Sequence, residues 1–163
     1  MFRRSALRTV LALATVATLG ACATQASAPG TVSAALARTP ALSTFHRLAG
    51  EADLLATLDG TGPYTVFAPT NSAFQALPPK TLDALKADKA QLKAVLSHHI
   101  IVARLAAADA KAGKLKTLQG SDITLARAGT FLTVEDALVE QADIRAGNGV
   151  VHAIDRVLMP PRK

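Results

Sequence analysis

The periodicity of this chain changes after Lys114, and that change limits its fold more than any other feature. Before it, apolar residues recur at helical spacing. VSAALA at 32–37 is one such run, and Leu42, Phe45, Leu48 and Ala49 after Pro40 are a second. Leu54, Leu55 and Leu58 continue that face until Gly60, Gly62 and Pro63 stop it. Asp88 with Gln91 has capping-box spacing and starts a helix that carries Leu92, Val95, Leu96 and His99 on one face, with Lys89 and Lys93 outside. Residues 105–113, LAAADAKAG, read as a further small helix stopped by glycine. After Lys114 the pattern is strand and turn. Turn signals stand at Gln119-Gly120-Ser121, Ala128-Gly129 and Asn148-Gly149, and Ile123, Leu125, Leu132 and Val134 alternate with polar neighbours, as in strands with one wet face. One strand lies early: YTVFAP, ended by Pro69, with Thr70 or Asn71 as the cap of a short helix carrying Phe74 and Leu77. Thr81 is another candidate cap. Helices first, an antiparallel sheet second and one early strand predict an α+β fold, not a βαβ repeat.

The start of the chain reads differently. Arg3, Arg4 and Arg8 precede LALATVATLGA at 11–21, an apolar run that ends in small residues and is too short to span a membrane permanently. This is the layout of a secretory signal, and Arg3-Arg4 also fits the start of a twin-arginine signal. The sole cysteine, Cys22, follows Leu19-Gly20-Ala21 and resembles the lipobox cysteine of bacterial lipoproteins, which carries acyl chains after cleavage. The other reading is a secreted chain with a cysteine there by chance. We divide the sequence into a signal at 1–21, a flexible tether at 22–30, one domain at 31–160 and a tail at 161–163. The formal charge of +6 falls to +3 without the signal, because 1–21 holds three arginines and no acid (18 − 3 − 12). The basic character is therefore mostly a targeting feature, and a nucleic-acid partner is not expected. One cysteine allows no internal disulfide, so the domain must stand on its core.

Chemistry-bearing motifs are few. His152 sits in GNGVVHAID inside a nearly continuous apolar run, where a neutral imidazole that donates to a backbone carbonyl is satisfied. His99 reads the same way, His46 as a surface residue, and His98 stays uncommitted. Adjacent His98 and His99 point to different faces and do not easily serve one ion. Ser72, Ser97 and Ser121 are nucleophile candidates by type alone, since none lies in G-x-S-x-G. Glu135-Asp136 reads as a wet edge or turn. With no G-x-G-x-x-G or P-loop, no cofactor, metal or catalytic residue is expected.

Three stretches together carry a family likeness: YTVFAPTNSAF, LSHHII at 96–101, and NGVVHAIDRVLMP, with KTLQGSDITL between the last two. Over residues 31–160 the chain resembles the fasciclin domain. The resemblance implies a wedge of two β-sheets with helices packed around it, and a non-enzymatic role in adhesion or extracellular contact. Two positions depart from the family pattern. Asn71 replaces the usual acid after TVFAPT, and His98 replaces the tyrosine that often precedes the histidine of the middle motif, so integrin recognition does not carry over. The resemblance places the expected partner-contact surface around His98, His99 and Ile101, for an envelope or extracellular protein or polysaccharide. Together with Cys22 it leads us to expect a module lipid-anchored in a bacterial cell envelope, at the outer membrane. The alternative expectation is a periplasmic binder of a small apolar or acidic ligand in a cleft between sheet and helices, and the weakest is a metal-dependent enzyme using His99 and His152.

Overall fold

The computed structural model describes residues 30–160, so the expected signal, the tether through residue 29 and Cys22 lie outside the described residues. Seven strands form one hydrogen-bonded order, β2-β1-β7-β6-β5-β4-β3. Second and third in it lie β1 (Tyr64–Pro69) and β7 (Gly149–Ile154), parallel to each other, with Val66 opposite Val151 and Phe67 opposite His152. Both are buried on both faces, which explains why their sequences read as apolar runs without alternation. The two-residue β2 (Ile100–Ile101) flanks β1 antiparallel. On the other side β6 (Ala137–Ala146), β5 (Phe131–Val134), β4 (Asp122–Ala128) and β3 (Gly113–Lys116) form an antiparallel meander with the wet face that their alternation predicts. β6 has register irregularities between Val139 and Ile144 and bends there, pairing with β5 at its start and with β7 along its length. The two expected sheets are thus the two ends of one order joined through β6. An Ile101–Thr117 bridge brings the ends together, so the sheet is nearly a closed barrel.

Adjacent residues of β1 and β7 feed two cores. Val66, Ala68, Val151 and Ala153 face the helices, where they meet Leu36, Phe45, Leu48 and Leu96. Phe67 and Ile154 point into the rolled sheet, with Ile123, Leu125, Val134 and Leu158. The α-helices are α1 (Val32–Arg38), α2 (Ser43–Glu51), α3 (Leu55–Leu58), α4 (Asn71–Gln75), α5 (Pro79–Ala87) and α6 (Lys89–His98), all before β2; the sequence pattern predicts helices mainly in this first half. Among the described residues no helix is long and apolar enough to cross a membrane.

The caps sort themselves by partner. Asp88 accepts from the amides of Ala90 and Gln91 and starts α6. Thr70, not Asn71, caps α4 by accepting from Ala73 N–H. Asn71 instead ties α4 to α2: its amide donates to Pro40 O, and its oxygen accepts from Thr44 N–H. Thr81 caps nothing, because α5 begins at Pro79, whose fixed φ suits a first helical turn.

The expected small helix at 105–113 is not formed. The segment makes one turn near Ala106 to Ala110, and Gly113 opens β3. Its backbone is claimed from elsewhere: Leu105 N–H donates to Thr65 Oγ1, Ala107 N–H to Asp143 Oδ1, and Leu105 O accepts from His152. Tertiary hydrogen bonds here override a local helical preference.

Asn148 closes the domain. Its side chain accepts from Val32 N–H at 2.8 Å and donates to Leu58 O and Gly60 O at 2.7 and 2.6 Å. The next residue must be glycine for a separate reason: a Cβ on Gly149 would lie 2.2 Å from Tyr64 O.

Candidate functional site

His152 stands on β7 opposite Phe67, with the two rings stacked at 5.4 Å between centroids. Its Nδ1 accepts from Asp143 N–H at 3.2 Å, so the proton lies on Nε2, which donates to Leu105 O at 2.9 Å. His99 follows the last residue of α6 and holds the opposite tautomer. Nδ1–H donates to Val95 O at 2.8 Å, and Nε2 accepts from Leu158 N–H at 3.0 Å. Both rings are fully buried. Burial pushes the His99 pKa down to about 4, opposed by the bond to Val95 O. Burial also lowers that of His152, against the Leu105 carbonyl and the Asp143 carboxylate. Each neutral ring has one lone pair, and each lone pair already holds a backbone N–H. Neither ring has an electron pair to offer a metal or a substrate proton.

His98 differs. Its ring is buried and its Nδ1 lies 2.6 Å from Ser121 Oγ, but Nε2 has no hydrogen-bond partner among the described residues. The group facing that nitrogen is Glu135, whose Oε1 is 3.9 Å away, beyond hydrogen-bond reach. Burial lowers the His98 pKa, while burial and then neighbouring Asp136 raise that of Glu135. Serine, histidine and glutamate in a row suggest a hydrolytic triad, but the partners of Ser121 argue against one. Its hydroxyl also contacts Thr117 Oγ1 at 3.1 Å and Gln119 Oε1 at 3.2 Å, while Ser121 O accepts from Thr117 Oγ1 at 2.8 Å. That network closes the β3–β4 turn onto the end of α6. Of the other serines, Ser97 is buried and Ser72 pairs with Thr70 Oγ1. Among the described residues no group of three or more histidine, cysteine or acidic side chains converges as a metal site.

The expected contact residues require a correction of place. His98, His99 and Ile101 are 0, 0 and 3 % exposed, so a partner cannot touch them on the folded surface. The sequence next to them does reach solvent. Val102 follows Ile101 and is 56 % exposed, and Leu118, whose amide donates to Ile100 O, is 37 % exposed. This apolar corner flanks the site where β2 meets Thr117. Val102 had a readable signal, a branched apolar residue just past a two-residue strand. Leu118 had none, because only the barrel closure carries it to β2. His46, expected at the surface, is half-buried.

With this geometry in hand, comparison with known proteins is direct. The family model described as "Fasciclin domain" matches residues 40–160. The chain belongs to the fasciclin domain family. Fasciclin-domain relatives include the cell surface glycolipoprotein MPB83 of Mycobacterium bovis, 40 % identical over 135 residues, covering 80 % of this chain and 60 % of that protein. The immunogenic protein MPB70 of the same species is 35 % identical over 147 residues, 87 % of this chain and 75 % of its own. Protein sll1483 of Synechocystis sp. is 39 % identical over 121 residues, 73 % and 67 % respectively. The chain therefore spans about three-fifths of the length of MPB83. Among solved structures, the FAS1 domain pair of the insect cell adhesion molecule fasciclin I superposes with a TM-score of 0.67 at 19 % identity, over 80 % of this chain and 51 % of that one. That likeness establishes the fold. Within the fasciclin frame, His99 and His152 are packing residues tied to the backbone.

Proposed function

We propose that this chain is a non-enzymatic adhesion-type module of a bacterial cell envelope, held by lipid at Cys22, that binds protein or polysaccharide partners. The observation that carries the reading is the state of the buried polar groups. Both family histidines are saturated by backbone partners, which leaves the surface, not a reactive centre, to interact. The glycolipoprotein relative and the adhesion molecule with the same fold support it. The contact surface is the corner of Val102 and Leu118, displaced by a residue or a strand pairing from the buried His98, His99 and Ile101. Apolar side chains exposed at a sheet edge are the usual substance of such contacts. An acyl anchor adds local concentration, so weak contacts sum.

Crosslinking and pull-down from envelope extracts with the full chain test the surface. Val102→Asp with Leu118→Asp removes the partner profile while leaving the circular dichroism spectrum intact; an unchanged profile refutes this surface. Metabolic labelling with palmitate tests the anchor separately. Label is lost in Cys22→Ser, and label that persists there shows that Cys22 is not the attachment point.

A further inference from the structure

One concave feature of the molecule plays no part in that reading. A groove of about 610 Å³ runs between α5, α6 and the segment after β7, within the size range of small-ligand sites. α5 contributes Lys80, Thr81, Ala84 and Leu85, which fall on one helical stripe, and α6 contributes Gln91, Ala94 and Val95 at i, i+3 and i+4. The groove exists because alanines stand on each helix where larger side chains would meet. Leu85 and Val95 are buried and floor it, while Met159, 41 % exposed, forms a flexible third wall. α5 buries only Leu85, so this wall can shift with little loss of core contact.

The charge around the groove is one-sided. Among the described residues that line it, Lys80 is the only ionisable side chain and none is a carboxylate. Of the charges close by, Asp88 caps α6 and Lys89 pairs with Asp53 at 2.6 Å, while Asp83 on α5 is exposed and outside the lining. Lys80 makes no ion pair among the described residues. An apolar trough with one cation and a hydroxyl at its mouth is complementary to one chemistry, a single apolar chain that ends in an anion. We propose that this groove binds a free fatty acid, with its carboxylate at Lys80 and Thr81 and its chain along Leu85, Val95 and Met159. The site lies between helices, not in the cleft between sheet and helices that the sequence suggested for a small apolar or acidic ligand, and it is independent of the Val102–Leu118 corner.

Titration calorimetry of the full chain with dodecanoate, below its micellar range, tests the proposal, with dodecyltrimethylammonium as the head-group control. Saturable one-to-one binding of dodecanoate is expected, and the cationic analogue binds at least about tenfold more weakly. Lys80→Gln weakens dodecanoate by about tenfold and narrows the gap between the two head groups. Ala84→Trp, at an exposed position of α5, fills the trough and abolishes binding with the fold intact by circular dichroism. Dodecanoate binding that survives Ala84→Trp overturns the location, and equal binding of the two head groups overturns the anionic assignment. No saturable binding overturns the proposal outright. A dimer that Ala84→Trp dissociates, in a chain that ignores dodecanoate, assigns the groove to a second copy instead.

Discussion

His152 and His99 on one side, and His98 on the other, are equally buried and differently made. The first two lie on or against the β1–β7 pair, in opposite tautomers, and every ring nitrogen has a backbone partner. The third lies at the corner where α6 gives way to β2, with one nitrogen on Ser121 and the other facing Glu135 without a bond. Burial alone therefore says little about a polar residue. A ring that satisfies backbone groups no other residue reaches is part of the scaffold, and a half-satisfied one is a local weakness in it.

That contrast can be broken by substitution. The largest effect belongs to His152→Leu, which strands Leu105 O and Asp143 N–H and removes the stack on Phe67. Chemical denaturation should show a loss of about 3–4 kcal/mol. His99→Leu strands Val95 O and Leu158 N–H and should lose about 2–3 kcal/mol. Acid reports on the same ring. Because the folded pKa of His99 lies at about 4, below the ordinary 6.5, its contribution is complete above pH 6.5 and drains away as pH falls toward 4, by about 3 kcal/mol in all. Burial shifts His152 and His98 in the same direction and adds to that slope. Denaturation midpoints measured across this window should fall steeply for the native chain and less so for His99→Leu; equal slopes would remove His99 from the account. His98→Phe deletes the orphaned nitrogen while Ser121 keeps Thr117 and Gln119, so stability should change by no more than about 1 kcal/mol in either direction. The smallest effect is that of Glu135→Gln at neutral pH, below about 0.5 kcal/mol, since its 3.9 Å approach to a neutral ring makes no bond. Comparable losses at all three histidines would erase the distinction between the two regions.

Periodicity made the helical first half, the wet-faced meander and the turns at Gly120, Gly129 and Asn148 legible, because each depends on residues a few positions apart. Asp88 and Thr70 were legible as caps for the same reason. What failed depended on distant partners. The helix expected at 105–113 was lost to Thr65, Asp143 and His152. Asn71 looked like a cap and is a brace to α2, and Asn148 looked like a turn former and also holds α1, the end of α3 and Gly60 after it. The architectural character of His152 was readable from its apolar neighbours, although Asp143 as a second partner was not. The residues expected at the contact surface, His98, His99 and Ile101, are buried. That burial was not legible because it depends on the barrel closure that brings Thr117 and Leu118 to β2, which no short motif encodes.

The parallel register of residues 64–69 with 149–154 sets an order of events. The strand that feeds both cores is the last of the sheet to be made, and β1 waits with one edge unpaired until residues 149–154 are present. The ribosome must release nearly the whole domain before the hub can assemble, so folding is dominated by distant contacts and is correspondingly slow. Fragments cut before residue 149 lack the strand around which both cores condense.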